Sequence, residues 1–159
     1  MPHATDSMVI ATPIGRVMIT CAGDRLTSLA IGGGEPAGPA ARHRLLDEAA
    51  AQLDAYFAGR LTRFDLPLEP LSTARGNALR AGIAAIGYGE MLSYGALARM
   101  LGSAPRAIGQ ACARNPLPII VPCHRVTSSG GAPERYSGGD GPATKAWLNA
   151  HEARRAAAG

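Results

Sequence analysis

Three prolines fall between positions 116 and 122 in the run Asn115-Pro116-Leu117-Pro118-Ile119-Ile120-Val121-Pro122-Cys123-His124-Arg125-Val126, and no α-helix can pass through them. Each pyrrolidine ring fixes φ at about −65° and removes an amide donor. Between the rings, Ile119-Ile120-Val121 has the β-branched, apolar character of buried extended chain. The segment is therefore expected to be stiff and buried, and it carries Cys123 to its end with His124 alongside. A thiol attacks as its thiolate, and an adjacent imidazole, directly or through water, is the usual means of forming one near neutral pH.

The sequence on either side differs in character. Met8 to Thr12, Arg16 to Thr20 and Leu26 to Ile31 are short β-prone runs separated by Pro13-Ile14-Gly15 and Ala22-Gly23-Asp24-Arg25, which predicts an antiparallel meander. A Gly- and Pro-rich connector spans Gly32 to Pro39; it lacks the closing Lys-Ser/Thr of a phosphate-binding loop. From Arg42 to Ala58 the apolar residues at 45, 46, 49, 53, 56 and 57 share one helical stripe, with Gly59 as the stop. Phe64 to Leu68 reads as extended, and Pro70 to Ser72 as a boundary.

Beyond it the pattern is helical. Ser72 is positioned to cap a helix to Ile86 that buries Leu79, Ile83 and Ile86. Ser93 opens Tyr94 to Leu101, Gly102 closes it, and a further helix runs from Arg106 to Arg114 after Ser103-Ala104-Pro105. Two short helices about a tight turn form a helix-turn-helix pattern. Small residues on the outward face of the second suit close backbone approach to a partner better than base reading in a major groove. Asp140 or Gly141 precedes a last helix starting at Pro142 and running past His151, with Trp147, Leu148 and Ala150 as apolar contacts and Lys145 and Glu152 on one face. The fold class is α+β: a small N-terminal antiparallel sheet with a helix (1–71), then a mostly helical domain with a helix-turn-helix and an active-site loop (72–159).

Sixteen Lys and Arg against twelve Asp and Glu give +4, which permits contact with a polyanion without requiring it. No apolar run reaches membrane-spanning length and no signal peptide is read, so a cytoplasmic protein is expected. Cys21, Cys112 and Cys123 lack the paired spacing of a zinc site or disulfide framework, and no metal is expected.

Pro122-Cys123-His124-Arg125-Val126, preceded by Asn115-Pro116-x-Pro118, resembles the active-site signature of the O6-alkylguanine-DNA alkyltransferases, and the resemblance extends over residues 88 to 152. It implies a suicide repair protein that flips an O6-alkylated guanine from duplex DNA and moves the alkyl group to Cys123, with O4-alkylated thymine as a further candidate substrate. His124 and Glu152, the latter within a Lys-x-Trp-Leu-x-x-His-Glu match, would be the base and its orienting carboxylate, and Asn115 would hold the turn before the cysteine. Arg106 would be the finger that enters the duplex, and Tyr94 would press on the adjacent phosphate. Ala107, Gln110 and Ala111 would face the minor groove. Val126, Tyr136, Ser137 and Gly138 would enclose the flipped base. No cofactor is implied, and the protein would act as a monomer.

The chain departs from the family pattern in the first helix of the C-terminal half. Relatives carry Gly-Thr-x-Phe-Gln-x-x-Val-Trp where this chain reads Ser72-Thr73-Ala74-Arg75-Gly76-Asn77-Ala78-Leu79-Arg80, so Arg75 and Arg80 replace two aromatics. Either the helix is repacked with surface arginines or it has gained a phosphate-contacting face. Gly87 replaces a proline, and the turn before Arg106 is two residues shorter. The alternatives are a non-catalytic lesion-binding protein, against which retention of Cys123 argues, and a thiol enzyme that kept the fold without DNA repair.

Overall fold

Three β-prone runs separated by tight turns pair into one sheet, whose middle strand alternates buried and outward-facing residues. In the computed structural model, which describes residues 5–32, 43–128 and 141–158, these are β1 (Thr5–Thr12), β2 (Gly15–Ala22) and β3 (Arg25–Ile31), paired antiparallel in the order β1-β2-β3. Val17, Ile19 and Cys21, every second residue of β2, are fully buried. Gly15 at φ 104° and Gly23 at φ 62° take the backbone conformations that the two turns need.

Helix α1 (Arg44–Phe57) supplies Leu46, Ala49, Leu53 and Tyr56 to this core, the stripe expected from the sequence. The return segment lies beside β3, with Leu26 N–H donating to Pro67 O at 2.9 Å and Glu69 N–H to Leu26 O at 2.8 Å. Contacts cluster into two units, Met1–Glu69 and Pro70–Gly159.

The second unit is built from α2 (Ala74–Ala84), α3 (Tyr94–Leu101), α4 (Pro105–Ala113) and α5 (Pro142–Ala158). Thr73 caps α2, not Ser72: its Oγ1 accepts from Gly76 N–H at 2.9 Å. Ser93 caps α3 as expected, and Gly102 ends it in the left-handed conformation at φ 63°. Helix α4 starts one residue earlier than expected because Pro105 fits the first helical position, where its missing N–H costs nothing. The parallel pair β4 (Leu92–Ser93) and β5 (Val126–Thr127) ties the start of α3 to the chain just after Cys123.

Two expectations fail here. Ile119-Ile120-Val121 is buried but not extended, because Ile119 sits at φ 76° and Val121 N–H turns back to Leu117 O at 2.9 Å. A β-branched residue in the left-handed region stores about 1–2 kcal/mol of strain, held in place by the surrounding packing. Ala150 is exposed, so α5 packs through Leu148 with Lys145, His151 and Glu152 on its buried side. Among the described residues no helix is long and apolar enough to cross a membrane.

Candidate active site

The turn made by the prolines delivers Cys123 into a single 3-10 turn, Cys123–Arg125, in which all three side chains are buried. Asn115 fixes the approach. Its Nδ2 donates to Val121 O at 3.1 Å and its Oδ1 accepts from Leu117 N–H at 3.0 Å, which ties the end of α4 to the residues preceding the thiol. The Asn115 side chain also acts on Cys123 itself, pulling its thiol pKa down.

Cys123 is 1% exposed. A hydrogen bond with the Cys112 thiol and burial hold its own thiol well above the ordinary range, against the opposing pull of Asn115 and the Lys145 charge. Cys112, in the same thiol pair, is held below its ordinary value by that hydrogen bond. Cys123 therefore rests as a thiol, and attack through its sulfur would need a base.

His124 is fully buried, and its Nε2 lies 2.7 Å from Glu152 Oε2. A carboxylate only accepts, so Nε2 carries the proton and Nδ1, also buried, is the basic nitrogen of the ring. Burial lowers the imidazole's affinity for a second proton and outweighs the raising effect of Glu152, so the ring stays neutral. Glu152, 1% exposed, further accepts from Arg125 Nε at 2.8 Å and Nη2 at 3.0 Å, and from Gly89 N–H at 3.3 Å. Arg125 also donates its Nη1 to the backbone at Ile86 O, 2.7 Å away. The carboxylate thus meets its ion partner and hydrogen-bond donors inside the core, as a buried charge must.

Helix α4 presents Arg106 and Gln110 as exposed residues and Ala107 and Ala111 as half-buried ones, while Ile108 and Cys112 point into the core. Tyr94, at the first position of α3, is half-buried, and the fully buried Lys145 reaches its hydroxyl at 3.5 Å with Nζ 5.5 Å from its ring centroid. Val126 is fully buried one residue beyond the 3-10 turn. Tyr136, Ser137, Gly138 and Asp140 lie outside the described residues. The structure brings Asn115, Cys123, His124 and Glu152 into one connected group, with the candidate α4 residues on an outer helix face.

Sequence reasoning missed Cys112 and Lys145 as neighbours of the thiol. Each had a signal: Cys112 follows the buried Ile108 by one helical turn, and Lys145 precedes Glu152 by two. It also gave Cys21 no partners, whereas Asp6, Cys21 and His43 bring their donor atoms within 4.8 Å of one another in the first unit. Contacts between a strand, its neighbour and a helix start leave no mark in linear spacing. His43 is already committed there: its Nδ1 accepts from Leu45 N–H at 3.2 Å, which leaves the proton on Nε2, facing Gly23 O at 3.1 Å. A metal on Nε2 would have to displace that hydrogen bond and the cap of α1, so the trio fits a hydrogen-bonded helix start better than a metal cage.

Two protein-family profiles match the chain: the DNA binding domain of 6-O-methylguanine DNA methyltransferase over residues 77–154, and the ribonuclease-like domain of the same protein over residues 8–70. A methylated-DNA–protein-cysteine methyltransferase of Methanosarcina barkeri is 37% identical over 138 residues, covering 82% of this chain and 87% of that protein. The Mycobacterium leprae protein of the same name is 47% identical over 94 residues, 58% of this chain and 57% of its own length. The chain thus spans less than two thirds of the length of several curated relatives it matches. The crystal structure of Mycobacterium tuberculosis OGT in complex with DNA superimposes with a TM-score of 0.79 at 34% identity, covering 94% of this chain and 93% of that one.

Proposed function

The chain belongs to the 6-O-methylguanine DNA methyltransferase family, and from that premise we propose that it repairs O6-alkylguanine in duplex DNA by taking the alkyl group onto Cys123. The observation that carries this reading is the hydrogen bond of 2.7 Å from His124 Nε2 to Glu152, in a group that also holds the buried thiol of Cys123. Glu152 fixes the tautomer that leaves Nδ1 basic, and Nδ1 takes the thiol proton through a water molecule. The sulfur lone pair forms the S–C bond as the C–O6 bond breaks. The leaving electron pair stays on the guanine, which takes up a proton and returns to its normal form.

A thiol buried in the protein cannot reach O6 inside a base stack, so the nucleotide must leave the duplex first. Helix α4 lies in the minor groove with Ala107, Gln110 and Ala111 against the DNA; Arg106 fills the space the nucleotide leaves, and Tyr94 presses on the neighbouring phosphate. Val126 lines the base pocket, to whose wall the family resemblance assigns Tyr136, Ser137 and Gly138; a donor to the departing base would stabilise the charge building on it. Small helix residues suit a minor groove that carries little sequence information, which is what a repair protein meeting damage anywhere requires. The thioether product is not reopened by thiol exchange, so each molecule acts once.

The test is stoichiometric. A duplex carrying O6-methylguanine, supplied in excess, should yield one restored guanine per protein molecule and then stop, and Cys123→Ala should restore none. Continued turnover, or repair by the alanine variant, would exclude the reading.

A further inference from the structure

Helices α2 and α4 enclose an open cavity of about 390 Å³ that reaches Cys123. Its wall carries Arg75 and Arg80 from α2 and Arg114 from the C-cap of α4, together with Gln110, and among the described residues no Asp or Glu lines it. Arg75 and Arg80 stand where the family pattern has aromatic residues, and here they border the cavity with cations. Arg75 and Arg114 are exposed and Arg80 is half-buried. The Arg75 guanidinium spends one of its donors on Ser103 Oγ at 3.0 Å, in the turn that leads into α4. Three guanidinium groups border one cavity, two of them open to solvent, so an anion entering it would meet several cations at once, and their planar forks match phosphate oxygens.

Two further observations say which anion. The α4 residues in the cavity wall, Ala107, Gln110 and Ala111, belong to the helix face assigned above to DNA, so the cavity continues that face. The charge is also divided: the unit Pro70–Gly159 has ten Lys and Arg against four Asp and Glu, whereas Met1–Glu69 has six against eight. A strand of backbone phosphates running past α4 meets both conditions, and a small free anion would account for neither the continuity nor the charge of the whole unit.

We propose that Arg75, Arg80 and Arg114 form a phosphate-binding notch between α2 and α4 that grips the DNA backbone beside the groove α4 occupies. The proposal rests on the reading of α4 as the DNA-facing helix. The notch adds affinity without base discrimination, since phosphate contacts position a duplex and do not read it.

The full-length protein, Arg75→Gln/Arg80→Gln/Arg114→Gln and the corresponding triple Lys variant should be titrated with a short fluorescent duplex between about 50 and 200 mM salt. Each phosphate contact contributes about 0.9 to the slope of log K against log salt, so the Gln variant should lose up to about 2.7 of it. The Lys variant keeps the charges and should keep most of the slope, which separates lost contacts from lost fold. An unchanged slope in the Gln variant, or a Lys variant impaired as far as the Gln one, would overturn the notch. Alkyl transfer from a lesion duplex to the wild-type protein is measured alongside. Transfer with an unchanged Gln slope removes the notch alone, and no transfer and no salt-dependent binding by the wild type removes both the notch and the function on which it rests.

Discussion

At Glu152 one buried carboxylate accepts from His124, from two nitrogens of Arg125 and from the Gly89 amide. Glu152→Ala would strand the Arg125 guanidinium, which is 6% exposed, without its counter-charge. Breaking one side of a buried pair costs about 3–5 kcal/mol, and urea denaturation should register a loss of that size. His124 adds a pH dependence whose sign follows from burial. Its folded-state pKa is held below the ordinary value of about 6.5, so under that pH the unfolded chain binds a proton that the folded protein refuses. This contribution to stability is whole above pH ~6.5 and is lost as the pH falls toward the folded-state value. Melting temperatures compared at about pH 7.5 and pH 5.5 should decline, and His124→Gln, which cannot titrate, should decline less.

Among the elements, the turn from Asn115 to Pro122 fixes where Cys123 lies. Asn115→Ala would leave Leu117 N–H buried and unpaired, at about 1–3 kcal/mol, and would take one of two donors from Val121 O, which keeps the Cys123 amide at 2.8 Å. It should also slow alkyl acceptance, since the thiol's approach is no longer fixed; an alanine variant with unaltered stability and rate would remove Asn115 from this role. Most elements were legible in the sequence because each depends on local chemistry. Period-2 runs gave the meander, the stripe in α1 gave its buried face, and Ser93 and Gly102 marked both ends of α3. The proline run was legible as non-helical and buried, but its course was not. Whether Ile119-Ile120-Val121 extends or turns back depends on Asn115 and Leu117 accepting and donating across the loop, which β-propensity does not register. In the site, Cys123, His124, Glu152 and Asn115 were found through the signature, whereas the Cys112 and Lys145 contacts arise from how α4 and α5 pack.

On the scale of the whole molecule, burial of the acceptor has a consequence for the product. Cys123 is 1% exposed even though a cavity reaches its turn, and an added alkyl carbon on the buried thiol crowds the neighbouring Cys112, at about 1–3 kcal/mol. The alkylated protein should therefore melt below the unmodified one, in a scan of both forms under one condition. The division of charge between the two units was latent in the sequence, but it acquires meaning only once the boundary is known and the arginines of α2 and α4 are found along one cavity. Two side-chain identities that looked like simple departures from a family pattern become, in three dimensions, a candidate grip on the substrate. The account nevertheless turns on Cys123 as acceptor. Peptide mass mapping after incubation with an O6-methylguanine duplex tests this directly: the peptide containing Cys123 should gain the mass of one methyl in place of its thiol hydrogen, with Cys21 and Cys112 unmodified. A folded, DNA-binding protein whose Cys123 peptide is unchanged, or whose methyl resides on another residue, would contradict it.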